Sequence, residues 1–98
     1  RLVLDAGTLP ALPGALDLAA AGVRTGGDRR NREFAGPHVD STASAQLEAL
    51  AYDPQTAGGL LIVLPADRAP VLEAAFAAAG LDLWRIGHVE SGSGVALR

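Results

Sequence analysis

The 98-residue sequence predicts an α/β (α+β) fold, a layered sheet with helices packed on it. Three observations carry that prediction. Leu60 to Leu64 is a continuous apolar run between Gly58-Gly59 and Pro65, the pattern of a strand covered on both faces. Ala69, Leu72, Phe76 and Ala79 recur at helical spacing. Leu81 to Val89 reads as a strand, with Trp84 and Ile86 on one side and Leu83 and Arg85 on the other.

From the N-terminus, Leu2-Val3-Leu4 reads as a short strand. Gly7, Pro10 and Pro13-Gly14 then punctuate the chain. A helix follows from Ala15 to Ala21, with Pro13 placed in its first turn and Gly22 as its stop. Arg24 to Pro37, with three glycines, four arginines and an Asn, reads as a loop. Ser41-Thr42 is a candidate cap for a helix from Ala43 to Ala51. Asp53-Pro54 ends it, because a residue before proline avoids the helical region. Asp67 is a candidate cap for a helix from Arg68 to Ala79 that tolerates Pro70 in its first turn, with Gly80 at its end. Glu90 to Gly94 is a turn that sends Val95 to Leu97 back as a hairpin partner of the preceding strand.

Composition removes several function classes. All eight basic residues are Arg and there is no Lys, so lysine chemistry cannot come from this chain. There is no Cys, which removes thiolate catalysis, disulfides and cysteine metal sites. The net charge of −3 argues against a general nucleic-acid binder. No run approaches the roughly 18 apolar residues of a membrane span, and no secretory-type apolar region is visible. The chain opens directly on an apolar run and closes on Val95 to Arg98 without a tail. It is expected to be a single or partial domain, residues 1–98, cut from something longer.

Two segments could carry chemistry. In Asp53-Pro54-Gln55-Thr56-Ala57-Gly58-Gly59, the Asp and Thr side chains can shape a turn. Its Gly pair admits close approach of another group, and free N–H groups there can form an anion-binding hollow. The alternative is a tight loop feeding a strand. It is not a P-loop, since the Lys and the glycine spacing are missing. In Gly26 to Glu33 and just before it, Arg24, Arg29, Arg30 and Arg32 could grip phosphate oxygens. The alternative is a solvated loop in which Asp28 and Glu33 offset the arginines. His38 and His88 have no partner motif, and the acidic residues show no metal-ligand spacing. No catalytic set and no metal site can be assembled.

Asp53 to Leu61 resembles the DPQTSGGLL signature of the selenophosphate synthetases, the selenide, water dikinases. Gly26-Gly27-Asp28-Arg29-Arg30-Asn31 resembles that family's GGT-x-R-N block, and the later Leu-Pro, helix, Gly and Ile86-Gly87 pattern also fits. The resemblance covers nearly the whole chain. Two departures stand out: Ala57 replaces the usual Ser, and Asp28 replaces the usual Thr.

The resemblance implies the later part of the family's C-terminal domain. That domain has the layered, partly ferredoxin-like fold shared with aminoimidazole ribonucleotide synthetase. It implies a parent enzyme that makes selenophosphate from ATP and selenide, with Mg²⁺, releasing AMP and phosphate. The reactive Cys or selenocysteine, the catalytic Lys and the metal-binding aspartates of the family lie in other segments. This chain alone is therefore expected to be inactive and to hold no cofactor. The expected ligand-contact positions in the parent are Gly26, Gly27, Arg30, Asn31, Asp53, Gln55, Thr56, Gly58 and Gly59. The expected partners are an N-terminal ATP-binding domain and further copies of the chain, without nucleic acid or membrane, in the cytoplasm. Two other readings stay open: a structural or dimerisation module, and a piece of another ATP-dependent member of the same superfamily, such as a thiamine monophosphate kinase-like protein.

Overall fold

Four short strands make one mixed sheet in the computed structural model, which describes residues 1–55 and 57–98. The strands are β1 (Leu2–Leu4), β2 (Val39–Ser41), β3 (Gly87–Val89) and β4 (Val95–Leu97). Their order across the sheet is β2-β4-β1-β3. β4 runs parallel to both β1 and β2, while β3 is antiparallel to β1. The helices are α1 (Ala15–Ala20), α2 (Gly26–Ala35), α3 (Ala45–Tyr52) and α4 (Ala69–Ala78). This is the sheet with packing helices that the sequence predicts, and its strands are mixed in direction.

Several elements differ from expectation for identifiable reasons. Arg24 to Pro37 is not a loop; most of it is α2. Its two glycines occupy the first two helical positions, where a helix is least sensitive to them. Arg32 pairs with Asp28 and Arg29 with Glu33, both at i,i+4. The third helix starts at Ala45 behind Ser44, because Val39–Ser41 is drawn into the sheet as β2. Pro13 lies outside α1, since Gly14 with φ of +83° takes the cap position. Asp67 caps nothing: a 3-10 turn over Ala66–Arg68 leads into α4, with Pro70 in its first turn as expected. Gly22 and Gly80 end α1 and α4 with positive φ.

The two largest differences concern strands. Leu60 to Leu64 carries no strand pairing, and Leu60, Leu61, Ile62 and Val63 are 90%, 57%, 43% and 61% exposed. A two-faced apolar strand needs cover on both sides, and the described residues supply neither. β3 shrinks to Gly87–Val89 because its partner β1 offers only three residues before turning at Asp5. Leu83 and Ile86 are half-buried and Trp84 is exposed, so the expected alternation ahead of β3 does not hold. β3 and β4 are not a hairpin pair either. The turn at Glu90 to Gly94 sends the chain past β1, which sits between them.

The core is small and centres on β4, the turn after β1 and the middle of α3: Ala6, Ala49, Ala96 and Leu97 are buried. The accessible surface is 6933 Å². A tightly folded monomer of this mass exposes about 5,200 Å². The radius of gyration of 14.5 Å likewise exceeds the roughly 13 Å expected for the length. Both excesses fit the exposed apolar run and the Ala-rich α4. On α4 only Ala69, Leu72 and Phe76 are half-buried, three of the four positions its spacing predicts.

Candidate functional site

The two segments singled out in the sequence meet where the start of α2 touches the end of α3. Gly27 is the second residue of α2. A Cβ placed on it would lie 2.5 Å from Pro54 Cγ, so the helix backbone rests directly on the proline ring. The Thr25 hydroxyl, at the cap position of α2, donates to Asp53 Oδ1 over 3.2 Å. Asn31 Nδ2 donates to the Tyr52 carbonyl over 2.8 Å. Three separate contacts therefore hold the Tyr52-Asp53-Pro54 segment against α2.

Asp28 is the buried charged residue of the described chain, 7% exposed. Its Oδ2 accepts from Arg32 Nε at 2.9 Å. Arg32 also donates to Glu48 Oε2 at 3.2 Å and lies 4.4 Å above the Tyr52 ring. Burial pulls the Arg32 pKa down, but its hydrogen bonds to Asp28 and Glu48 together outweigh that and raise it. Glu48 is held below the usual carboxylate range, first by the Ser41 hydroxyl and then, against burial, by Arg32.

This geometry divides the nine expected ligand positions. Gly27, Asn31 and Asp53 are engaged within the fold, by Pro54, Tyr52 and Thr25. Gly26 stands open at the start of α2, since a Cβ added there would meet nothing within 4 Å. Arg30 is exposed and forms no ion pair with any described residue. Gln55, Gly58 and Gly59, with Asp53, line an open cleft of about 300 Å³ that Leu9 and Pro10 also border. None of the Gly26–Asn31 block lines that cleft, so the two blocks share a contact rather than a pocket. Thr56 lies outside the described residues.

The arginine expectation needs correction. Arg24 donates to the carbonyls of Ala19 and Val23, Arg29 pairs with Glu33, and Arg32 is committed to Asp28 and Glu48. Only Arg30 of the four stays available for an external anion among the described residues. Asp28 does not oppose a ligand, because its carboxylate turns inward to Arg32. Thr25, Glu48 and Tyr52 were not among the expected site residues, and Arg32 was expected only as a phosphate grip. The Asp28–Arg32 spacing and the Thr25-x-x-Asp28 pattern are helix-start signals that a loop assignment hides. Among the described residues, no three His, Cys, Asp or Glu side chains converge as a metal site, so no Mg²⁺ ligand is assigned here. No helix among them is long and apolar enough to cross a membrane.

Comparison with known proteins decides the lineage. A selenide, water dikinase of Nitratidesulfovibrio vulgaris (strain DP4) is 37% identical over 100 residues, covering 95% of this chain. One of Pelobacter propionicus is 40% identical over 79 residues, and one of Salmonella typhimurium 38% over 90 residues. These alignments cover 79% and 91% of this chain. The chain is a segment homologous to the selenide, water dikinases. It spans about a quarter of the length of these relatives: 27%, 23% and 26% respectively. That agrees with the expectation of a C-terminal portion of a dikinase. No protein-family profile matches the chain.

Proposed function

We propose that this chain is the C-terminal part of a selenide, water dikinase and that its motif edge helps close an ATP site completed elsewhere in the parent. The parent reaction would form selenophosphate from ATP and selenide with Mg²⁺, releasing AMP and phosphate. The observation that carries the reading is the convergence of the two family-like blocks through Gly27–Pro54, Thr25–Asp53 and Asn31–Tyr52. Blocks 20 or more residues apart in sequence are joined at one edge, and the side chains left outward are those suited to a nucleotide.

In this reading Arg30 offers a guanidinium to phosphate oxygens. Gln55 offers an amide that can both donate and accept. Gly58 and Gly59 let a ligand approach the backbone. Gly27, Asn31 and Asp53 shape the edge rather than touch the ligand. The segment supplies no Lys or Cys, so the chain alone is inactive, and the N-terminal ATP-binding domain is its partner. Cytoplasmic residence belongs to the same proposal.

The test uses the full-length enzyme. Arg30→Ala and Gln55→Ala are expected to fold normally and to raise the KM for ATP. Normal folding with unchanged ATP kinetics in both variants would refute the site. Turnover by the isolated chain with ATP, Mg²⁺ and selenide would refute its inactivity. A second reading, a self-association module, is favoured by the exposed run Leu60 to Val63. It predicts that those substitutions leave kinetics untouched while changes in the apolar run alter the oligomeric state.

A further inference from the structure

We propose that Arg32 is a positioning residue that fixes the Asp53–Gln55 turn by gripping Tyr52, the residue just before it. The inference rests on the ATP-site reading above. Arg32 touches none of the outward candidates Arg30, Gln55, Gly58 and Gly59, so any effect on a ligand passes through Tyr52. Its guanidinium engages three neighbours at once: Asp28 at 2.9 Å, Glu48 at 3.2 Å and the Tyr52 ring at 4.4 Å. Asp28 ties it to α2, Glu48 ties it to α3, and the ring is the last side chain of α3. On its other side Tyr52 is held by Asn31 through the backbone carbonyl. The ring and the carbonyl of one residue are thus both clamped to α2, and the next residue begins the turn. A planar fork with several fixed donors can do this; a lysine ammonium cannot stack and bridge in the same way.

Removal of the whole side chain would leave Asp28 buried without a partner, and Arg32→Ala is therefore expected to fold poorly. The test uses Arg32→Lys, Tyr52→Leu and Tyr52→Phe in the full-length enzyme. Arg32→Lys and Tyr52→Leu are expected to raise the KM for ATP about tenfold, the loss of one good contact, with kcat changed less than about twofold. Tyr52→Phe keeps the ring and is expected to rescue both values. A second readout is independent of catalysis: the side-chain amide cross-peaks of Asn31 in ¹⁵N-labelled enzyme. They should move in Arg32→Lys and Tyr52→Leu and stay in place in Tyr52→Phe. Unmoved Asn31 peaks in folded Arg32→Lys would overturn the positioning role. Moved peaks, with ATP kinetics insensitive to Arg30→Ala and Gln55→Ala as well, would support positioning and refute the ATP site alone. Moved peaks with an altered KM in Gln55→Ala but not in Arg32→Lys would overturn the link from Arg32 to the ligand.

Discussion

Gly27→Ala tests the contact on which the site depends. The added methyl would lie 2.5 Å from Pro54 Cγ, 3.1 Å from its Cβ and 3.4 Å from its Cδ. Carbon atoms rest about 3.5–4.0 Å apart, so the proline must retreat by about 1 Å. The Thr25–Asp53 hydrogen bond is already 3.2 Å long and would not survive such a shift. Overpacking of this kind costs about 1–3 kcal/mol, and the lost hydrogen bond adds about 1 kcal/mol. Against this, Ala favours the helix over Gly by up to about 1 kcal/mol. The net is a destabilisation of about 1–3 kcal/mol. With a urea dependence of roughly 1–2 kcal/mol per molar, the unfolding midpoint falls by about 1 M. Gly26 supplies the control, since nothing lies within 4 Å of its added methyl. Gly26→Ala should leave stability unchanged or raise it by up to about 1 kcal/mol. Urea unfolding followed by far-UV circular dichroism reads both. Equal midpoints for the two variants would refute the packing of α2 on Pro54.

Three further outcomes follow from the same structure. Asp40 is held below its ordinary pKa by hydrogen bonds from Arg98 and then Arg1, and Glu48 by Ser41 and then, against burial, Arg32. Lowered folded values stabilise the fold above the unfolded pKa values of about 3.9 and 4.3. That contribution is lost as pH falls through the folded ones, so the urea midpoint should stay level from about pH 7 to 5 and drop below about pH 4. Asp40→Asn should flatten part of that drop, and a midpoint that rises with acid would contradict it. Gly87→Ala should break the β1–β3 pairing, because a Cβ there collides with the Val3 carbonyl; persistent amide-exchange protection at His88 would count against this. The surface excess of about 1,700 Å² is about twice what one partner contributes to a standard interface. The chain should therefore run above monomer mass by light scattering, and Leu61→Glu with Val63→Glu should reduce it; a monomeric parent chain would refute the argument.

Local signals were enough where an element is set by its own residues. Leu2–Leu4, the stop at Gly22, the break at Asp53-Pro54 and the half-buried Ala69, Leu72 and Phe76 of α4 were legible from composition and spacing. Topology was not, because it depends on which strand finds which neighbour. β4 follows β3 after a short turn, yet pairs with β1 and β2, both far from it in sequence. α2 was hidden by Gly26-Gly27, a pair that breaks a helix interior and only weakly opposes a helix start. Leu60 to Leu64 shows the reverse failure. Its residues favour a strand, but strand formation needs an edge to pair with and faces to cover, and propensity supplies neither.

The GGDRRN and DPQ blocks carry two kinds of requirement that a motif string does not separate. Gly27, Asn31 and Asp53 answer to packing: a proline ring, a carbonyl and a hydroxyl lie against them. Arg30, Gln55, Gly58 and Gly59 face outward, and no described ion pair occupies Arg30. Substitution at the first group should therefore move stability and ligand kinetics together, because the edge itself shifts. Substitution at the second should move kinetics alone. Asp28 belongs with the first group. In place of the family's Thr it brings a buried carboxylate, and Arg32 is the cation that makes this tolerable. The carboxylate that departs from the motif thus turns inward to Arg32, which in turn joins α2 to α3 through Glu48.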